Sequence, residues 1–287
     1  MRVLIVGCGY VGLPLGETLV RQGHLVWGLR RRATEALTQA GITPLCADVT
    51  RPETLASLPR DFDWVVNCAA SGGGTADDYR QLYLGGTRQL LSWLAKAPPR
   101  KLVYTSSTSV YAQDDGSWVT ESSPTDPEAG TARVLLETEA ALLAAARAGF
   151  PAVILRVAGI YGPGRGYAFK QFLAGEARLE GGGGRFMNMI HRDDLIGAVI
   201  AALERGRSGE IYNAADDEPV TQADFYAWLA KELKRPLPPK VAGDAASGRK
   251  RGVTNKRVSN AKLRADLGCE FRFPNFRAGY GQMMRDA

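Results

Sequence analysis

Two spacings of apolar residues alternate along the first half of the chain. Strand-like runs appear at "RVLIV" (2–6), "HLVWGL" (24–29), "ITPLCAD" (42–48), "WVVNCA" (64–69), "KLVYTS" (101–106) and "AVILRVA" (152–158). Such short apolar runs read as strands buried on both faces, the habit of parallel sheets. Between them, residues near 11–22, 77–95 and 131–148 carry apolar positions at helical spacing. This alternation predicts β-α-β units, which right-handed crossovers wind into a doubly wound parallel sheet of the α/β class. Ligands of that architecture sit in the crevice at the carboxyl ends of the strands.

Past Arg156 the rhythm breaks. "YGPGRGY" (161–167) and "EGGGGRF" (180–186) are loop and hairpin signals. Helical spacing returns near 193–205 and 221–233, with the strand-like "EIYNAA" (210–215) between, and a Pro/Gly-rich basic stretch follows near 235–256. The expected organisation is a first domain over 1–156, to which 191–217 return, and a smaller, less regular domain over most of 157–287 that covers the crevice.

Composition narrows the class. Of 287 residues, 45% are apolar and 23% charged, which excludes disorder and suits a globular enzyme. The longest apolar stretch, Leu195 to Leu203, is too short to span a bilayer, and "MRVLIVG" reads as a first strand rather than a signal peptide. Cys8, Cys46, Cys68 and Cys269 are scattered without a C-x-x-C pair, so a reduced, cytoplasmic protein without structural disulfide or zinc is expected. With His24 and His191 the only histidines, a His-rich metal site is excluded, and a Ser-His-Asp hydrolase would have to use His191. The net charge of +6 is dispersed apart from Arg30-Arg31-Arg32 and the segment from Arg249 to Arg257. Without an aromatic-basic module it points to an anionic small molecule ahead of nucleic acid.

The first turn carries the strongest motif. Gly7, Gly9 and Gly12, with Tyr10 and Val11 between them, form G-x-G-x-x-G directly between a strand and a helix. The first glycine permits the tight turn, the second lets the backbone approach a pyrophosphate, and the third lets helix and strand pack closely. This is the fingerprint of the dinucleotide-binding Rossmann fold, which assigns residues 1–156 to cofactor. An NAD-selecting site ends its second strand with Asp or Glu on the ribose 2′-hydroxyl. Here Arg30 and Arg31 stand there, and guanidinium groups suit the 2′-phosphate of NADP(H) better than NAD(H). Asp48 and Val49, after the third strand, meet the adenine edge or, for Asp48, cap the following helix. Cys68, Ala69 and Ala70 end the fourth strand and leave room for a nucleotide.

"KLVYTSSTSVYA" (101–112) then places five hydroxyl side chains, Thr105 to Ser109, at a strand end. Together with Asp48-Val49, "NCAA", "GGTRQLL" (85–91), "LRVAGIYGPGR" (155–165), "NMIHRDD" (188–194) and "YNAADDEPVT" (212–221), the order resembles the extended, epimerase/dehydratase-like branch of the short-chain dehydrogenase/reductase superfamily. The resemblance covers nearly the whole chain. It implies a substrate oxygen bonded by Ser107, a cofactor lined by Thr105, Ser106, Val157, Ala158 and Ile160, and a substrate site at Ser107, Gly159, Tyr161 and Arg165. It also implies a homodimer through two helices beside the active site, and small-molecule chemistry without nucleic acid or membrane.

The chain departs from that pattern at its chemical centre. The family's Tyr-x-x-x-Lys opens the helix after the hydroxyl run, but "PEAGTARVLLETEAAL" (127–142) contains neither residue. Aligning on Glu137 puts Ala129 and Arg133 in the pair's places; aligning on Glu139 puts Thr131 and Leu135 there. Arg133 is then either a cation at the nicotinamide ribose or a solvated first-turn residue. Tyr83, where the family usually has Asn, either acts as a surrogate acid or fills the helix–sheet interface. Tyr111 and Tyr161 are further candidates. Two functions are expected: an NADP(H)-dependent oxidoreductase or epimerase/dehydratase-like enzyme acting on a carbonyl or hydroxyl of a small anionic substrate such as a nucleotide sugar, or an inactive NADP(H)-binding sensor or scaffold.

Overall fold

The computed structural model describes residues 1–32, 34–71, 75–241 and 254–285. Its centre is a seven-stranded sheet built from β1 (Arg2–Val6), β2 (Leu25–Arg30), β3 (Thr43–Cys46), β4 (Trp64–Asn67), β5 (Lys101–Ser107), β6 (Ala152–Val157) and β7 (Ile211–Ala214). The strands lie in the order β7-β6-β5-β4-β1-β2-β3, and every pairing is parallel. Strand order reverses beside β1, so the carboxyl ends of β1 and β4 open a crevice there.

Each strand feeds two cores because successive side chains point to opposite faces. Val3, Ile5, Val103, Val153 and Leu155 pack with Leu15, Leu19, Leu195 and Val199 from helices Gly12–Arg21 and Arg192–Arg205. Leu4, Val65, Leu102 and Ile154 face the other way, onto Leu90, Leu94, Leu135 and Leu142 of helices Gly86–Leu94 and Gly130–Arg147. The helical segment expected near 77–95 has three parts: a short helix Ala76–Tyr79 capped by Thr75, a π-turn Arg80–Gly85, and helix Gly86–Leu94.

The later half builds a third, aromatic core from Tyr161, Phe172, Phe225, Tyr226, Phe276 and Tyr280. "YGPGRGY" is a tight turn, with Gly162 and Arg165 exchanging backbone hydrogen bonds of 3.1 and 2.9 Å. "EGGGGRF" does not close a hairpin. Leu179–Glu180 pairs with Lys240–Val241 and Phe186–Met187 with Val220–Thr221, so the glycines turn the chain between two different partners. Helices Tyr167–Leu173, Ala261–Leu267 and Phe276–Arg285 carry too few periodic positions to stand out in the sequence. Of the basic stretch near 235–256, residues 242–253 lie outside the described residues.

One ion pair fastens the helix Gly130–Arg147 to the sheet. Glu139 and Arg156 are 2% and 5% exposed, and Glu139 accepts from Arg156 Nη2 at 2.8 Å and Nε at 3.1 Å. Ser106 Oγ donates to the same carboxylate at 2.5 Å. Arg156 Nη1 reaches the Tyr111 hydroxyl at 2.9 Å, which donates to Asn213 Oδ1 at 2.8 Å. Burial works against the Arg156 charge, but the bonds and charge of Glu139 outweigh it and hold the guanidinium protonated. Removing one partner of such a pair strands the other charge in the interior. Glu139→Ala is therefore expected to lose about 3–5 kcal/mol in urea unfolding. Glu137→Ala, which breaks an exposed pair with Arg80, is expected to leave the midpoint unchanged.

Candidate active site

A single cleft of about 2760 Å³ runs along the carboxyl ends of β1 to β6. A pocket for one small ligand is roughly 300–1,000 Å³, so this volume accommodates a dinucleotide and a second ligand together. At one end, Gly7 takes φ +92°, and a Cβ there would sit 2.5 Å from Ala69 backbone atoms. A Cβ on Gly12 would meet Gly7 O at 2.5 Å, so helix Gly12–Arg21 approaches β1 too closely for any side chain. A Cβ on Gly9 meets nothing within 4 Å and would project into open cleft. That is the shape expected of a pyrophosphate cradle, and the turn fits the dinucleotide that the motif implies.

Tyr10 and Val11 line the same turn. The Tyr10 ring lies between Arg165, 5.0 Å from its centroid, and Arg192 at 5.4 Å. Beyond β2, Arg30, Arg31 and Arg32 all line the cleft; Arg30 Nη1 donates to Thr34 Oγ1 at 3.3 Å, while Arg31 and Arg32 are exposed. The Asp48 carboxylate accepts from Thr50 N and Oγ1 at 2.9 and 2.7 Å. It thus folds its own loop and does not cap the next helix, which follows Arg51. Burial opposes its charge, yet the Thr50 bonds prevail and hold the carboxyl below the usual range. Val49 is buried against Gly86. The Cys68 thiol donates to Gly7 O at 3.3 Å and is driven far up by burial, so it packs and does not react. Ala69 and Ala70 complete that wall; Gly72, Gly73 and Gly74 of the "NCAASGGG" run lie outside the described residues.

The hydroxyl run divides by strand face. Thr105 donates to Asn67 O at 3.4 Å, Ser106 turns to Glu139, and Ser107 Oγ accepts from Ser109 N at 3.2 Å. All three line the cleft, as do Val157, Ala158, Gly159 and Ile160 at the end of β6 and Arg165 beyond. Tyr83 lies in the π-turn with its hydroxyl accepting from Ser71 N at 3.2 Å, and its ring forms part of the cleft wall.

Three candidate residues are not brought to the cleft: Arg133, Tyr161, and Tyr111, whose buried hydroxyl is committed to Arg156 and Asn213. Arg133 is exposed and donates to Pro127 O at 3.0 Å. Leu135, two residues on and therefore on another helix face, lines the cleft instead. Of the two alignments, the one on Glu139 puts cleft-lining Leu135 in the lysine's place, and the one on Glu137 puts Arg133 there, which does not line the cleft. Tyr161 is 1% exposed, stacks on Tyr280 with centroids 4.4 Å apart, and donates to Asn275 O at 3.3 Å. It belongs to the aromatic core, and burial pushes its phenol far up. His191 caps helix Arg192–Arg205 through Nδ1, is lowered to about 4 by burial, and does not line the cleft with Ser107, so the hydrolase reading loses its base. Asp194 accepts from Arg272 N and Phe273 N and ties the C-terminal segment to that helix.

The structure adds residues that sequence reasoning did not single out. Arg185, Asn188, Gln222, Tyr226, Thr254 and Lys256 also line the cleft, all contributed by the later half of the chain. They come from short strands and loops with no periodic signal, and Lys256 lay within the basic segment from Arg249 to Arg257, where no single residue stood out. No described helix is long and apolar enough to cross a membrane, and no metal-binding cluster occurs among the described residues.

Comparison with known proteins agrees with this geometry. The model of the NAD dependent epimerase/dehydratase family matches residues 3–215. Protein YeeZ of Escherichia coli (strain K12) is 32% identical over 282 residues, covering 96% of this chain and 97% of its own. The 3-diazoavenalumate denitrifying reductase of a Streptomyces species is 30% identical, covering 98% of this chain and 100% of its own. The fold is that of dTDP-glucose 4,6-dehydratase from Streptomyces venezuelae, solved with NAD and TYD bound. The TM-score is 0.84 at 23% identity, with 99% and 96% of the two chains covered.

The glycine turn separates two effects that one substitution usually mixes. Gly9→Ala is expected to keep the wild-type melting temperature and weaken dinucleotide binding at least about tenfold in calorimetric titration, as a methyl fills the cradle. Gly12→Ala is expected to lower the melting temperature by several degrees, because its methyl meets backbone.

Proposed function

This chain belongs to the NAD dependent epimerase/dehydratase family, the extended branch of the short-chain dehydrogenase/reductases, and on that premise we propose that it is an NADP(H)-dependent reductase or epimerase acting on a carbonyl or hydroxyl of a small anionic substrate. The observation that carries the reading is the charge distribution along one continuous cleft. Arg30, Arg31 and Arg32 stand at the adenosine-ribose end, where no carboxylate closes β2. Arg165, Lys170, Arg185 and Lys256 line it from the later half of the chain, and no described residue of that half that lines it is acidic. Asp48 and Asp78 of the first half also line it, bonded to Thr50 and Thr75, and the surplus of cations concentrates ligands of opposite sign.

Glycine turn, arginines and small residues at the ends of β4 and β6 hold the dinucleotide, which supplies or accepts hydride when bound. Ser107, fixed by Ser109 N at the end of β5, donates a hydrogen bond from its hydroxyl to the substrate oxygen and polarises the carbonyl. Arg185 and its neighbours orient an acidic group. The Streptomyces relative, matched end to end, is a reductase, which favours net reduction over epimerisation.

The test is loss of nicotinamide absorbance when protein and NADPH meet a panel of 3-oxo acids, other carbonyl acids and nucleotide sugars. Turnover of an anionic member, reduced about 10²–10³-fold in Ser107→Ala, is expected. Tight NADPH binding without turnover across the panel would leave a sensor or scaffold instead. For the cofactor, Arg30→Ala combined with Arg31→Ala is expected to weaken NADPH at least about tenfold and leave NADH nearly unchanged.

A further inference from the structure

Hydride delivered to a carbonyl carbon leaves charge on its oxygen, and that oxygen must be protonated. The helix that carries the family's proton-transfer pair presents Leu135 to the cleft here. Of the two described ammonium groups that line the cleft, Lys170 is exposed and Lys256 is buried. Lys256 is 4% exposed, lines the cleft, and donates from Nζ to Tyr111 O at 2.9 Å and Thr254 Oγ1 at 2.6 Å. An ammonium has three N–H donors, so one stays uncommitted among the described residues.

Ser107 and Tyr111 cap the two ends of the turn Thr108–Val110, so the carbonyl that holds Lys256 and the hydroxyl of Ser107 are joined by that one turn after β5. The lysine backbone is fixed as well. Asn188 Nδ2 donates to Lys256 O at 2.9 Å, Asn188 Oδ1 accepts from Val258 N at 2.7 Å, and Asn255 N donates to Gln113 O at 3.0 Å. No carboxylate pairs with Nζ among the described residues. The charged groups on neighbouring elements are engaged elsewhere: Arg156 with Glu139, Arg185 beside Glu180, and Arg257 on Gly116 O. Burial alone pulls the Lys256 ammonium down to about 8.

We propose that Lys256 is the proton donor of this site, giving the substrate oxygen that Ser107 polarises the proton that a tyrosine gives in the family pattern. The inference rests on the reductase reading above. In the reducing direction the C=O π bond opens; carbon takes the hydride from the reduced dinucleotide, which leaves oxidised, and oxygen takes the proton from Lys256. The lysine is left a neutral amine and recovers its proton from water. Such a donor works at neutral pH because its ionisation lies near the working range, where an ordinary lysine would hold its proton too tightly.

The first measurement needs no substrate. Labelling the wild-type protein with isotope-coded acetic anhydride across pH 6–11, with peptide mass spectrometry, is expected to give Lys256 a reactivity midpoint near pH 8. A midpoint at the ordinary lysine value of about 10.4 would overturn the inference. The second uses the carbonyl acid that turns over fastest in the panel. Wild-type kcat/KM for reduction is expected to be level below about pH 8 and to fall about tenfold per unit above it, as the proton is lost. Lys256→Met and Lys256→Arg are both expected to lose about 10²–10⁴-fold at pH 7, with the limb near 8 absent and NADPH affinity unchanged by calorimetry. Arginine keeps the charge but does not release a proton, so full rescue by Lys256→Arg would make Lys256 an anion anchor and overturn proton donation. Failure of the wild-type protein to bind either dinucleotide would instead remove the reductase reading, a result distinct from an ordinary lysine in a protein that binds NADPH.

Discussion

The carboxylate of Glu139 and the guanidinium of Arg156 organise the chemical end of this molecule. Between the faces of a parallel sheet and a helix, two opposite charges hold only if every remaining donor and acceptor is met. Ser106, Tyr111 and Asn213 meet them, and in doing so draw β5, β6, β7 and the turn after β5 to one point. The turn that ends at Tyr111 fixes where Ser107 stands, and the Tyr111 carbonyl in turn seats Lys256. A buried pair of this kind adds little net stability over an apolar replacement, so its contribution here is registry.

Most of the first half was legible because its signals are local. Apolar runs at β1, β4, β5 and β6 and the spacing of Gly7, Gly9 and Gly12 depend on residues adjacent in the chain. The later half was less legible for the opposite reason. The glycine run at 181–184 resembles a hairpin turn, yet the strands beside it pair with residues about 35 to 60 positions away. Tyr161 looked like a cleft residue from its place in "YGPGR", but its ring is claimed by Tyr280, which no local pattern announces. Arg133 and Leu135 show the finer difficulty: a helix turns 200° in two residues, and only burial of Glu139 decides which face meets the cleft.

The site is built from the expected scaffold with different chemistry set on it. Hydroxyls and small residues at strand ends keep the places they have in the family pattern, while ionisable groups come from later segments of low regularity. Lys256 and Arg185 enter from loops and two-residue strands, held by Asn188 and Asn255 rather than by helix periodicity. Sequence comparison confined to the helix after β5 therefore finds only a loss, because the gain lies over a hundred residues away.

Tyr10 carries a consequence for modularity. Its ring belongs to the nucleotide turn, yet both cations flanking it are contributed by the later half, Arg165 from the loop after Tyr161 and Arg192 from the helix that follows His191. Gly162 stands so close to the Tyr10 hydroxyl that any side chain there would collide with it, at 2.9 Å. A chimera that grafts a relative's second half onto this first half must import a glycine and two arginines matched to a tyrosine it did not evolve beside. The boundary between the halves is a shared joint, and recombination across it is constrained by three residues fitted to one tyrosine ring.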